Sequence, residues 1–138
     1  MPVFIGGFIY LTYRTENLLM FGWFEKIGLY SLIDFLRNNE FLQKMNIPNW
    51  IKYSLPDALW LFSFIYVVLT LWSFQINRHS IFWITLVPAI GLFSELGQLF
   101  GIIPGTFDVV DLFLLVLASI LPFLIESINF KITKINYL

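Results

Sequence analysis

The sequence of 138 residues contains no cysteine, one histidine and few charged side chains. The absence of cysteine excludes disulfide frameworks, thiolate metal sites and cysteine nucleophiles. The single histidine, His79, excludes metal sites that are built from several histidines. Eight Lys and Arg residues against nine Asp and Glu residues give a formal net charge of −1, without a basic patch for nucleic acid. We therefore expect no nucleic-acid partner, no metal and no other cofactor.

Charged residues make up only 12% of the chain, whereas hydrophobic residues make up 59%. A soluble domain usually carries about 25% charged residues. The mean hydropathy is +0.81, and the chain has 16 Phe, 5 Trp and 6 Tyr residues. A chain this short buries too little surface to hide so many aromatic side chains from water. The composition therefore predicts an integral membrane protein whose partners include membrane lipids.

Apolar runs of about the length that crosses a bilayer predict one all-α membrane domain over residues 1–138. The first run contains Arg14 and Glu16 near its middle. We favour one helix over residues 3–24; the alternative is two pieces that form a re-entrant or interfacial element. The predicted transmembrane helices are four, at about residues 3–24, 57–77, 80–103 and 107–127.

Residues 25–45 mix apolar and charged side chains, as does an amphipathic helix that lies in the membrane interface. Pro48 and its polar neighbours then end the segment. The predicted fold is therefore four transmembrane helices plus an interfacial amphipathic helix in the first loop. Lysine and arginine residues are too evenly divided between the two sides to orient the chain.

This topology brings the start of the second span, the end of the third and the start of the fourth to one side. Five polar residues then converge at one face of the bundle: Asp57, Glu95, Gln98, Asp108 and Asp111. Glu95 and Gln98 share a helix face through their i,i+3 spacing, as do Asp108 and Asp111. Glu95 lies about 12 Å inside the end of its helix. An ionisable group at that depth indicates a functional site.

Helix capping offers a structural explanation for two of the acids. Ser54 and Asp57 have the spacing of a capping box for the second span. Thr106 could cap the fourth span, with Asp108 complementing its helix dipole. Capping does not account for Glu95, which lies well inside its helix.

Arg14 requires a carboxylate partner if it lies at mid-membrane. We expect it to face the bundle and to contact Glu95, Asp111 or Glu16. A pair between Arg14 and Glu95 could be purely structural. The carboxylates could also ligate a hard cation through oxygen, but their spacing supports no particular coordination set.

Two motifs resemble those of the VanZ-like membrane proteins. The run from Ser94 to Asp111, SELGQLFGIIPGTFDVVD, is similar to the family's signature, in which one helix ends in Glu-x-x-Gln and the next begins with two aspartates three residues apart. Leu-Pro-Asp at residues 55–57 resembles the start of the family's second helix, and the resemblance covers about residues 50–126. Thr106 stands where the family usually has Arg, and Trp60 where it often has His, so any role of those side chains is absent here.

The resemblance implies a multi-pass protein of the bacterial cytoplasmic (inner) membrane, with both termini inside and the acidic residues toward the outer leaflet. The family's namesake is associated with resistance to the glycopeptide teicoplanin, which points to the cell envelope. No established reaction comes with the family. We therefore predict an acidic vestibule that binds a lipid-linked or cell-wall-related ligand. The candidate ligand-binding residues are Glu95, Gln98, Asp108, Asp111, Asp57 and Arg14.

Besides a channel or transport function, two other functions stay open. The first is a small structural or accessory subunit that docks its aromatic helices onto a larger membrane complex. The second, which we rank last, is an enzyme that acts on lipid-linked substrates with Glu95 or Asp111 as acid or base. A protein partner that copurifies stoichiometrically would favour the subunit, whereas a copurifying lipid would favour ligand binding.

Overall fold

The structure, a computed structural model, describes residues 2–14 and 19–136. Within these residues the chain is all-helical and contains no β-strand. The helices are α1 (Pro2–Tyr13), α2 (Leu19–Lys26), α3 (Tyr30–Arg37), α4 (Glu40–Lys44), α5 (Asn49–Tyr53), α6 (Leu55–Leu71), α7 (Arg78–Leu99) and α8 (Val109–Asn136).

Helix α6 lies at the centre of the bundle and packs against α1, α7 and α8. Its buried side chains recur every three or four residues, which places them on one helix face. That face meets one buried residue from each of α7 and α8. The core residues are Ala58, Leu61, Ile65, Val68 and Leu69 of α6, Ile84 of α7 and Ala118 of α8.

Among the described residues, two helices are long and apolar enough to cross a membrane: α7, and Val109–Ser127 of α8. Large apolar side chains on both are exposed, including Phe93 on α7 and Phe113 on α8. Helices α6 and α1 are apolar but shorter, with 17 and 12 residues. The predicted all-helical class is confirmed for the described residues, whereas four transmembrane helices are not confirmed.

The predicted continuous helix over residues 3–24 is wrong. Helix α1 ends at Tyr13, Arg14 adopts a bend, and α2 begins at Leu19. Ending α1 here lets the Arg14 side chain reach polar groups at the start of α6. A continuous helix would hold the guanidinium at mid-membrane, where an ionised group is expensive. Glu16 lies outside the described residues.

The predicted interfacial helix over residues 25–45 is also wrong as a single element, because the segment is divided among α2, α3 and α4. Gly28, with a φ of 75°, prevents the helix from continuing after α2. Asn39 begins α4 as its N-cap, and its side chain accepts hydrogen bonds from the backbone N–H groups of Phe41 and Leu42.

The ends of the other predicted spans also shift. Helix α6 ends at Leu71 rather than at residue 77, since Ser73 and Phe74 adopt positive φ angles of 49° and 59° and turn the chain. Helix α7 ends at Leu99 rather than at residue 103. Helix α8 begins at Val109 and continues beyond the predicted end at residue 127.

Candidate functional site

Arg14 is held at the start of α6 by an ion pair and a backbone hydrogen bond. Its Nη2 atom lies 3.0 Å from Asp57 Oδ2 and donates to the Tyr53 carbonyl oxygen, also at 3.0 Å. Its guanidinium group lies over the rings of Tyr10 and Tyr53, 5.3 and 5.5 Å from their centroids. The predicted orientation toward a carboxylate is therefore right, but the described partner is Asp57 rather than Glu95 or Asp111.

Asp57 is available to Arg14 because the predicted capping box is not formed. Ser54 makes no side-chain hydrogen bond to the start of α6, and its backbone is helical. Helix α5 therefore runs almost directly into α6, with Pro56 in the first turn, where its missing N–H is tolerated. The Asp57 carboxylate in this first turn pairs with Arg14.

Glu95 is the buried acid of the site. It lies on α7 and is only 9% exposed. The backbone of Asp108 lies close to its carboxylate. The negative charges of Asp111, Asp108 and Asp57 repel the charge of an ionised Glu95. Its Oε2 atom is buried and has no hydrogen-bond partner among the described residues.

Asp108 and Asp111 have different roles at the start of α8. Asp108 precedes the helix and accepts a hydrogen bond from the backbone N–H of Val110 at 2.8 Å, so it is the N-cap. The prediction that Thr106 caps this helix is wrong. Asp111 lies in the first turn, and its Oδ1 atom is buried without a hydrogen-bond partner among the described residues. Its charge acts on both Asp57 and Glu95.

Gln98 packs against the loop that joins α7 to α8. The loop passes through Gly105 with a φ of 147°, and a Cβ atom there would lie 2.7 Å from Gln98 Cδ. A side chain at residue 105 would therefore collide with the Gln98 amide as well as strain the backbone. The structure thus gives Gln98 a packing role that its spacing from Glu95 did not indicate.

The structure brings together five of the six predicted site residues, which we call the acidic cluster: Arg14, Asp57, Glu95, Asp108 and Asp111. The cluster contains one guanidinium group and four carboxylates, and the guanidinium pairs with Asp57. Within the described residues, no three His, Asp or Glu side chains are arranged to hold a metal ion. The acidic cluster is therefore a polar site with a surplus of acceptors and negative charge.

An open groove of about 640 Å³ runs along α6, between α1 and α7. Sequence reasoning did not predict it, although Gly91 and Ser63 offered a signal because small residues on facing helices leave room between them. The groove is lined by Val3 of α1, by Asp57, Trp60, Leu61, Ser63, Phe64 and Val67 of α6, by Val87, Ile90 and Gly91 of α7, and by Leu115 of α8.

One end of the groove opens at the acidic cluster. Asp57 belongs to both. Glu95 follows Gly91 by four residues on α7, and Asp111 precedes Leu115 by four residues on α8, so each acid lies one turn from a groove residue on the same helix face. From Asp57 to Val67 the groove extends about 15 Å along the helix axis. This arrangement can hold an amphiphile, with hydrocarbon in the groove and a polar group at the cluster.

No protein-family model, curated protein or solved structure matches the chain significantly. The similarity to VanZ-like proteins thus stays a prediction from the two motifs at residues 55–57 and 94–111.

Proposed function

We propose that this chain is a VanZ-like multi-pass protein of the bacterial cytoplasmic membrane that binds an amphipathic, lipid-linked or cell-wall-related ligand. The hydrocarbon part of the ligand occupies the groove, and its polar part lies at the acidic cluster. The observation that carries the proposal is the junction of the two at Asp57, because an apolar groove with a carboxylate of the acidic cluster in its lining matches the two halves of an amphiphile.

The proposed membrane arrangement retains four embedded helices: α1, α6, α7 and α8. At 1.5 Å per residue, the 17 residues of α6 cover about 25 Å, close to the thickness of the hydrocarbon core. The 12 residues of α1 cover about 18 Å, so α1 enters the membrane beside α6 without crossing it alone. The VanZ-like motifs support an outer-leaflet position for the acidic cluster.

The dimensions of the groove suit a hydrocarbon chain. Its volume of about 640 Å³ lies within the range of about 300–1,000 Å³ that ligand pockets occupy. Apart from Asp57 and Ser63 its lining is apolar, and it is open along one side. In a bilayer such an opening faces the acyl chains, so a lipid-linked ligand can enter laterally without passing through water.

Mass spectrometry of the protein purified with native lipids tests this proposal. The unmodified protein should retain about one amphiphile per chain. Gly91→Leu should abolish retention, because the new side chain fills the groove beside Leu115, whose Cδ1 atom would lie 3.5 Å from the added Cβ. Gly22→Leu is the matched control, since nothing lies within 4 Å of a Cβ at that position.

Equal retention by Gly91→Leu and the unmodified protein would show that the groove is not the binding site. A stoichiometric protein partner in place of a lipid would instead favour the accessory-subunit function. Exposed aromatic side chains such as Trp23, Phe35 and Phe41 in the first loop offer surface for such a partner.

A further inference from the structure

The acidic cluster has more negative charge than its described cation can neutralise. Arg14 is already ion-paired with Asp57 at 3.0 Å. In the part of the chain that the structure describes, no ion pair joins Glu95 or Asp111 to a lysine or arginine. The negative charge of Asp111 acts on Glu95, and no described ion pair offsets either charge.

The same two carboxylates have buried oxygen atoms that lack donors within the described part of the chain. Glu95 is 9% exposed, and its Oε2 atom has no hydrogen-bond partner among the described residues; the same holds for Asp111 Oδ1. Buried polar atoms in proteins are almost always hydrogen-bonded, because leaving one unpaired is costly. An ionised carboxylate can only accept hydrogen bonds. For these two oxygens the component missing from the described residues is therefore a donor, and the charge of the site favours a cationic one. Arg14 Nε is also buried without a described partner, but its side chain is already ion-paired with Asp57.

We propose that the acidic cluster binds the protonated amine of an amphiphile, with Glu95 and Asp111 accepting its N–H groups. This inference rests on the proposed function, since the groove holds the hydrocarbon chain of the same molecule. An ammonium group supplies three donors and one positive charge, which suits two acceptors that lie among carboxylates. A phosphate head group would meet like charge, and a hydroxyl would donate without neutralising the site.

Three single-chain probes that differ only in the head group test the inference on the purified, delipidated protein. These are dodecylamine, dodecanol and dodecyl phosphate, and their apparent Kd values are measured by titration in native mass spectrometry. The amine should bind at least about tenfold more tightly than the alcohol, which corresponds to one charge-assisted hydrogen bond. The phosphate should bind most weakly.

Two isosteric variants then test whether Glu95 and Asp111 cause the preference for the amine. Glu95→Gln and Asp111→Asn should each weaken dodecylamine binding by about tenfold and leave dodecanol binding unchanged. Glu25→Gln is the matched control, because this exposed glutamate lies on α2, away from the cluster. It should keep the full preference for the amine.

The outcomes separate this inference from the proposed function. Equal binding of the three probes, or tightest binding of the phosphate, would overturn the amine assignment while the groove still held a chain. Equal binding would be expected if Glu95 and Asp111 shared a proton instead of binding a cation. Persistent binding of every probe to Gly91→Leu would overturn the groove itself, and with it both proposals.

Discussion

Buried polar groups form hydrogen bonds at one end of the bundle, whereas at the other end some of them lack described partners. At the end where α6 turns into α7, Ser80 is fully buried, and its hydroxyl group both accepts and donates hydrogen bonds. Its Oγ atom accepts the Asn77 N–H and donates to the Gln75 carbonyl oxygen at 3.0 Å. The Asn77 side chain in turn accepts from the N–H groups of His79 and Ser80. This capping box pairs the groups locally, within six residues of chain.

At the acidic end, buried atoms of Glu95, Asp111 and Arg14 lack hydrogen-bond partners among the described residues. In the turn between α6 and α7, this fold pairs the buried Ser80 hydroxyl with nearby backbone groups. Unpaired groups at the other end are therefore better explained by binding than by stability, since they weaken the fold without a ligand.

The largest expected effect tests whether the two ends of the bundle lie on opposite sides of the membrane. Single cysteines at Ile76 and Thr106, both exposed in loops of this cysteine-free chain, should react with a membrane-impermeant thiol reagent from opposite sides. Each should label nearly completely from one side and hardly at all from the other. Labelling of both from the same side would contradict a membrane crossing by α7.

A smaller effect, on the free energy of unfolding, is expected at the end of the bundle where Ser80 is hydrogen-bonded. Ser80→Ala should lower the free energy of unfolding by about 1–3 kcal/mol, because it leaves the Asn77 N–H and the Gln75 carbonyl without their partner. Unfolding of the protein in detergent micelles, followed by circular dichroism, measures the change. Ser127→Ala serves as the control, since this exposed hydroxyl only donates to the Leu124 carbonyl of its own helix. Equal losses in the two variants would remove the contrast between the ends.

The smallest stability effect is expected at the acidic end. Glu95→Gln should change the free energy of unfolding by less than about 0.5 kcal/mol, or should raise it. The amide carries no charge to desolvate and offers N–H donors to neighbouring acceptors such as Asp111 Oδ1. The same unfolding measurement applies, with Glu25→Gln as its control. A loss comparable to that of Ser80→Ala would assign Glu95 a structural role.

The position of the acids at one end followed from helix order alone. The start of α6, the end of α7 and the start of α8 must meet when consecutive helices run antiparallel through short loops. Asp57, Glu95, Asp108 and Asp111 were therefore predictable as neighbours. The partner of Arg14 was not, because it depended on where α1 ends and on how α1 packs against α5 and α6.

Local sequence patterns also predicted two helix N-caps at the wrong residues. Ser54 and Thr106 have the right residue type and spacing for N-caps, yet neither fills that role for its predicted helix. The geometry of the preceding chain decides which side chain reaches the free N–H groups. In α8 that residue is Asp108, whereas at α6 the preceding helix α5 leaves no extended residue to cap it.

The sequence by itself determined the helical class, the apolar surface and the end of the bundle that collects the acids. These properties depend on composition, on the length of apolar runs and on chain order. Only the tertiary structure decided that Arg14 pairs with Asp57, that Glu95 Oε2 is buried without a described partner, and that a groove leads to the cluster. The physical reason is that each depends on the lateral distance and rotation between helices distant in sequence, which side-chain packing sets and linear spacing does not encode.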